Sequence, residues 1–201
     1  MTAAYEAFVF DFFGVVCSEV APFWFRKYLP EPESIEVKSR LVGPADKGEI
    51  SQEELFTQLG QFAGMQAKQV QDEWWGYVSI NRDVVDLAKE LGKRYRVALL
   101  TNATSGFFRE IMKRNHLDGI FDPVVISSVE RAAKPDRVIY ERVLDRMNVP
   151  AGRALMIDDN PTNILGAQSA GMDGIVFESA ARLKNILAER GCLIGVPGYR
   201  S

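Results

Sequence analysis

Four places in this 201-residue chain put chemically able side chains directly behind short apolar runs. The first run, Phe8–Phe10, ends in Asp11. The second, Arg96–Thr101 (RVALLT), closes on Thr101 and is followed by Asn102. After the third, Pro123–Ser127 (PVVIS), comes a loop carrying the Lys134-Pro135 pair. The fourth, Ala154–Ile157 (ALMI), runs into Asp158 and Asp159. A single aspartate after a strand is usually a helix cap, but carboxylates, a hydroxyl, an amide and an ammonium in this order form a set. The set suits phosphoryl transfer through a covalent aspartyl intermediate, with Asp11 as nucleophile. A carboxylate and a phosphate dianion repel each other, so a cation must lie between them. Mg²⁺ takes a few carboxylates, a carbonyl and waters, which Asp11 and the acidic pair would supply. Thr101 and Asn102 would donate hydrogen bonds to the phosphoryl oxygens, and Lys134 would neutralise charge growing in the transition state.

The elements that must hold these residues follow from the same runs. They are short, β-branched and apolar on both faces, as strands of a buried parallel sheet are. Gly174–Phe177 (GIVF) is a further such run. Helical stretches are expected near residues 83–92, 104–115, 136–147, 161–170 and 179–190, alternating with the strands. The reading is an α/β fold: a Rossmann-like open parallel sheet with helices on both faces. In such sheets ligands bind beyond the carboxyl ends of the strands, which is where all four polar groups fall.

Residues 17–80 break the alternation and carry helix punctuation instead. Pro22 opens a first helix. Ser51-Gln-Glu-Glu54 is a capping box with Leu55, Leu59 and Phe62 expected on one face behind it. Val70, Trp74 and Tyr77 follow at helical spacing. The expected organisation is a core of residues 1–16 and 81–201 with a helical cap insert at 17–80.

Composition narrows the function classes. With 47% hydrophobic residues and a net charge of −3, the chain suits one compact body and shows no basic arm for nucleic acid. No apolar run approaches the ~20 residues that span a bilayer, and no leader pattern opens the chain, so a cytoplasmic protein is expected. Cys17 and Cys192 form neither a disulfide framework nor a zinc pattern. His116 is the only histidine and no G-x-S-x-G elbow accompanies it. Among cap cations, Arg26, Arg40 and Lys47 are candidates to face the site, though each reads more simply as a solvated charge. Neither the oligomeric state nor the identity of the substrate follows from the sequence.

The chain resembles the haloacid dehalogenase superfamily. FVFDFFGVV, LLTN, Lys134-Pro135 with Tyr140, and MIDDNPTNILGAQSAGM are similar to its four motifs, over residues 8 to about 178. The last motif is the most specific, with Asp158-Asp159, Asn163, Ala167 and Gly171-Met172. The pattern is similar to the phosphatase branch that includes the N-terminal domain of soluble epoxide hydrolase, and GEISQEELF (48–56) resembles that branch's cap sequences. The resemblance implies that Asp11 is nucleophile and metal ligand and that Thr101 and Asn102 bind phosphate. It implies that Lys134 bridges nucleophile and phosphate, that Asp159 is the direct metal ligand, and that Asp158 supports it. The third metal ligand implied is the backbone carbonyl of Phe13.

One departure matters. In the phosphatases of this family the residue two after the nucleophile is an aspartate that protonates the leaving oxygen; here it is Phe13. A phenyl ring carries no transferable proton, and general acid catalysis is worth ~10²–10⁴ in rate. Three readings follow. The first is a Mg²⁺-dependent phosphatase or phosphotransferase of weak or specialised activity on a small phosphorylated metabolite. The second is a phosphate- or metabolite-binding regulatory protein without turnover. The third is a 2-haloacid dehalogenase, whose leaving halide needs no proton. Retention of the acidic pair favours metal and phosphate.

Overall fold

The computed structural model describes residues 5–193, and the outermost residues assigned to the core, 1–4 and 194–201, lie outside that range. Five strands form one sheet: β1 (Ala7–Phe10), β2 (Arg96–Thr101), β3 (Val124–Ile126), β4 (Ala154–Asp158) and β5 (Asp173–Val176). Their order is β3-β2-β1-β4-β5, and every neighbouring pair is parallel. Strand side chains alternate between faces. Phe8, Phe10, Leu99, Leu155 and Ile157 enter one buried cluster, and Val9, Ala98, Leu100 and Met156 enter the other. Both faces therefore need cover, and helices supply it. On the first lie α6 (Arg82–Gly92), α7 (Ser105–Arg114) and α11 (Ala180–Glu189), through Val85, Phe108 and Leu183. On the second lie α9 (Arg137–Met147) and α10 (Pro161–Ser169), through Tyr140 and Ala167.

The strands and helices after residue 82 fall within two residues of the expected bounds. Two short additions are a 3-10 turn (Ala151–Arg153) leading into β4 and a helix, α8 (Ser127–Glu130), where a loop is expected. Ser127 follows β3 directly, and its hydroxyl accepts the Ala103 N–H at 2.9 Å, tying this turn to the end of β2.

Residues 17–80 form α1 (Ala21–Tyr28), α2 (Glu33–Val37), a π-helical turn (Lys38–Val42), α3 (Gly43–Asp46), α4 (Gln52–Ala63) and α5 (Ala67–Tyr77). Pro22 stands in the first turn of α1. Ser51 caps α4 by accepting the Glu54 N–H at 3.0 Å. Leu55 and Leu59 are buried as expected, but Phe62 is 42% exposed. Phe56 is the aromatic that docks. Its ring meets Trp74 at 5.1 Å and Phe107 of α7 at 6.2 Å. The apolar cluster under these helices is continuous with the one on the first sheet face. Among the described residues no helix is long and apolar enough to cross a membrane.

Candidate active site

β1 lies at the centre of the sheet, and the chain leaves it first toward β2 and later returns to β4 on its other side. That reversal is the topological switch point, where an open α/β sheet parts to form a crevice. Phe10 pairs with Ile157, so the next residues, Asp11 and Asp158, emerge side by side. The Asp11 N–H donates to the Ile157 carbonyl at 2.8 Å and fixes that register. The Phe12 N–H in turn donates to Asp11 Oδ1 at 2.6 Å.

Lys134 joins the two aspartates. Its Nζ lies 2.7 Å from Asp11 Oδ1 and 2.6 Å from Asp158 Oδ2, and all three residues are buried. Asp158 Oδ1 also accepts the Asn160 N–H at 2.9 Å and Asn163 Nδ2 at 3.0 Å. Tyr140 donates to the Asn163 carbonyl at 2.6 Å, so α9 and α10 brace the carboxylate together. Asn102 grips the lysine from behind. Its Oδ1 accepts the Lys134 N–H and its Nδ2 donates to the Lys134 carbonyl, both at 2.9 Å. One N–H of that amide is thus committed to holding Lys134. The sequence shows no sign of this clamp, because it joins residues 32 positions apart.

Burial is the largest influence on the charges here. It pushes the Asp11 carboxyl well above the carboxylate range; Asp158 adds to this and Lys134 opposes it. Burial alone would lower the Lys134 ammonium, but Asp11 and Asp158 together hold it above its ordinary value. Asp159, half-buried, is raised by burial and then by Asp158.

The residues fit a hard divalent cation. One oxygen from each of Asp11, Asp158 and Asp159 lies within 4.8 Å of the others. Asp159 is held close to the turn after β1. A Cβ added at Gly14, whose φ is +90°, would stand 2.4 Å from Asp159 Oδ2. The Phe13 carbonyl oxygen accepts no hydrogen bond from the described residues. Thr101 Oγ1 is buried without a hydrogen-bond partner at the end of β2, and Thr101 does not line the cavity at Asp11, whereas Asn102 does.

A cavity of about 330 Å³ opens onto Asp11, Lys134 and Asp159 and runs up between core and insert. Phe13, Val20, Val42, Leu55, Trp74 and Phe107 make much of its wall. Its polar residues on the insert side are Glu19, Lys38 and Asp46, which sequence reading does not single out. The candidates Arg26, Arg40 and Lys47 do not line it. Arg26 lies over the Phe23 ring, Arg40 pairs with Glu36, and Lys47 with Asp136. His116 follows α7 with a φ of 55°. Cys17 and Cys192 are buried free thiols.

Comparison with known proteins agrees with the fold. The sequence model of haloacid dehalogenase-like hydrolases matches residues 5–171. A sesquiterpene phosphatase of Aspergillus oryzae is 24% identical over 202 residues, covering 96% of this chain and all of that protein. The glyceraldehyde 3-phosphate phosphatase of Pyrococcus abyssi is 34% identical over 98 residues, 48% of this chain and 40% of that one. Among solved structures, a Bacteroides thetaiotaomicron HAD family enzyme in complex with magnesium and inorganic phosphate superposes with a TM-score of 0.73. It shares 22% identity over 89% of this chain and 98% of that one.

Proposed function

Because the chain belongs to the haloacid dehalogenase-like hydrolase family, we propose that it is a Mg²⁺-dependent phosphatase acting through an aspartyl-phosphate on Asp11. The observation that supports this most is the Asp11–Lys134–Asp158 contact at the switch point, with Asp159 beside it. Asp11 and Asp159, with the Phe13 carbonyl, would hold Mg²⁺. The ion, when bound, would screen the repulsion between Asp11 and phosphate and withdraw charge from the phosphoryl oxygens. Asp11 Oδ attacks phosphorus while Lys134, steered by Asp158 and clamped by Asn102, neutralises the developing charge. The Thr101 hydroxyl and the second Asn102 amide N–H donate to the phosphoryl oxygens. Water then releases phosphate and regenerates the Asp11 carboxylate.

Residues 17–80 act in this reading as a cap that encloses the leaving group. On the insert side Val20, Val42, Leu55 and Trp74 line the cavity, and the relative matched over its whole length is a sesquiterpene phosphatase. Both support a small monophosphate whose body is apolar. The binding-only reading is favoured by Phe13 alone.

Phosphate release from p-nitrophenyl phosphate, with Mg²⁺ and with chelator, tests the proposal. Turnover that needs Mg²⁺ and vanishes in Asp11→Asn is expected. Binding of phosphate with no turnover under any condition would establish the regulatory reading instead. Chloride release from a 2-haloacid without metal would establish the dehalogenase reading.

A further inference from the structure

Phe13 leaves the leaving-group oxygen without a proton donor from β1, and the cavity offers a replacement from the opposite wall. We propose that the Asp46 carboxyl, reached from the insert, is the general acid of this site. The proposal rests on the phosphatase reading above.

The first argument is placement. Asp46 closes α3 and lines the same cavity as Asp11, Phe13 and Lys134. The backbone that follows it is pinned to the core on the lysine side of the site. Lys47 pairs with Asp136, two residues after Lys134, at 3.3 Å. Gly48 lies so close to α8 that an added Cβ would stand 2.4 Å from the Ser128 carbonyl oxygen. The residues after Asp46 are therefore anchored to the core, and Asp46 is a cavity-lining residue rather than the tip of a free loop. Phe13 lines the cavity as well, at the chain position from which a β1 acid would act.

The second argument is the charge around it. Burial raises Asp46 to about 7; Lys38 and Lys134 oppose this and Glu19 adds to it. A carboxyl that keeps its proton near neutrality suits a general acid. Glu19 lines the cavity too, but its strongest charged neighbour is Asp159, which puts it on the metal-ligand side. The charged groups facing Asp46 are thus Lys38, Lys134 and Glu19, with Lys47 and Asp136 paired beside it.

The step balances without further reagents. Asp11 Oδ bonds to phosphorus as the bond from phosphorus to the leaving oxygen breaks. The electron pair left on that oxygen takes the Asp46 proton, and the alcohol departs. Water then attacks the phosphorus, gives its proton to the Asp46 carboxylate, and the electrons of the broken bond return to Asp11.

The test is kcat/KM on n-octyl phosphate and on p-nitrophenyl phosphate, with Mg²⁺, between pH 5.5 and 9, for wild type and Asp46→Asn. An alkoxide needs the proton and a nitrophenolate does not. Asp46→Asn is expected to lose ~10²-fold or more on the alkyl ester and ~3-fold or less on the aryl ester. The wild-type to mutant ratio for one substrate cancels that substrate's own titration. For the alkyl ester it should fall as pH rises through about 7, where Asp46 ionises. Adding Phe13→Asp to Asp46→Asn should recover at least part of the alkyl activity. Equal losses on both esters, no loss on the alkyl ester, or a flat ratio across the pH range would overturn the assignment while leaving the phosphatase reading intact. If Asp46→Asn does not fold, an alkyl profile in wild type with no decline above neutrality overturns it alone. A wild type that hydrolyses neither ester removes the phosphatase reading, and the general acid with it.

Discussion

Gly14 shows how little freedom a single residue has at this site. Its φ of +90° is one that side chains rarely adopt, and its α-carbon faces the Asp159 carboxylate. Alanine there incurs ~1–2 kcal/mol of backbone strain. It also sets a methyl group 2.4 Å from Asp159 Oδ2, so the carboxylate must move. If Asp159 binds Mg²⁺, Gly14→Ala should weaken Mg²⁺ by ~10-fold or more, as loss of a ligand's support does. Titration calorimetry reads this directly, and unchanged affinity would show that Asp159 is not a ligand or that the turn yields freely. At this scale the sequence was informative because the reactive residues stand at strand ends, where an apolar run stops abruptly. It was silent on Asn102 clamping the Lys134 backbone, since that contact depends on how two loops meet.

Elements were legible where their pattern is periodic. β-branched runs apolar on both faces and caps such as Ser51 mark strands and helices within the local sequence itself. The insert was legible as helical, but the face of α4 that docks was not fully so. Leu55, Leu59 and Phe62 share a helical spacing, yet Phe56 is the ring that is buried and Phe62 stays out. Docking against Trp74 and Phe107 decides this, and those partners come from two other helices. The same reason hid Glu19, Lys38 and Asp46, which reach the cavity only once the insert is seated. The assignment makes a paired prediction. Phe56→Ala should destabilise the protein by ~3–5 kcal/mol, the cost of a core aromatic, whereas Phe62→Ala should stay within ~0.5 kcal/mol. Urea unfolding of both variants reads the difference; equal effects would mean that α4 docks by another face.

Across the whole molecule, one apolar cluster extends from β1 and β4 through Phe12, Phe107 and Phe108 into the helices of the insert. The insert has no separate buried cluster of its own among the described residues. Core and insert should therefore melt together, in a single transition. The candidate site lies at the seam between them, so whatever binds there holds the whole fold. Mg²⁺ at ~100 times its dissociation constant adds ~2.7 kcal/mol to a protein that binds it only when folded. For a chain of this size that is a rise in Tm of roughly 5–10 °C, taking ~2–4 °C per kcal/mol. If Asp159 is a ligand as proposed, Asp159→Asn should remove most of that rise while leaving the transition single, because Asp159 is one of three carboxylates placed to hold the ion and lies outside the apolar cluster. Calorimetric scans of wild type and mutant, each with Mg²⁺ and with chelator, measure both effects. Two separate transitions would show that the insert folds alone, and an undiminished Mg²⁺ shift in Asp159→Asn would move the metal away from the carboxylates gathered at the end of β1.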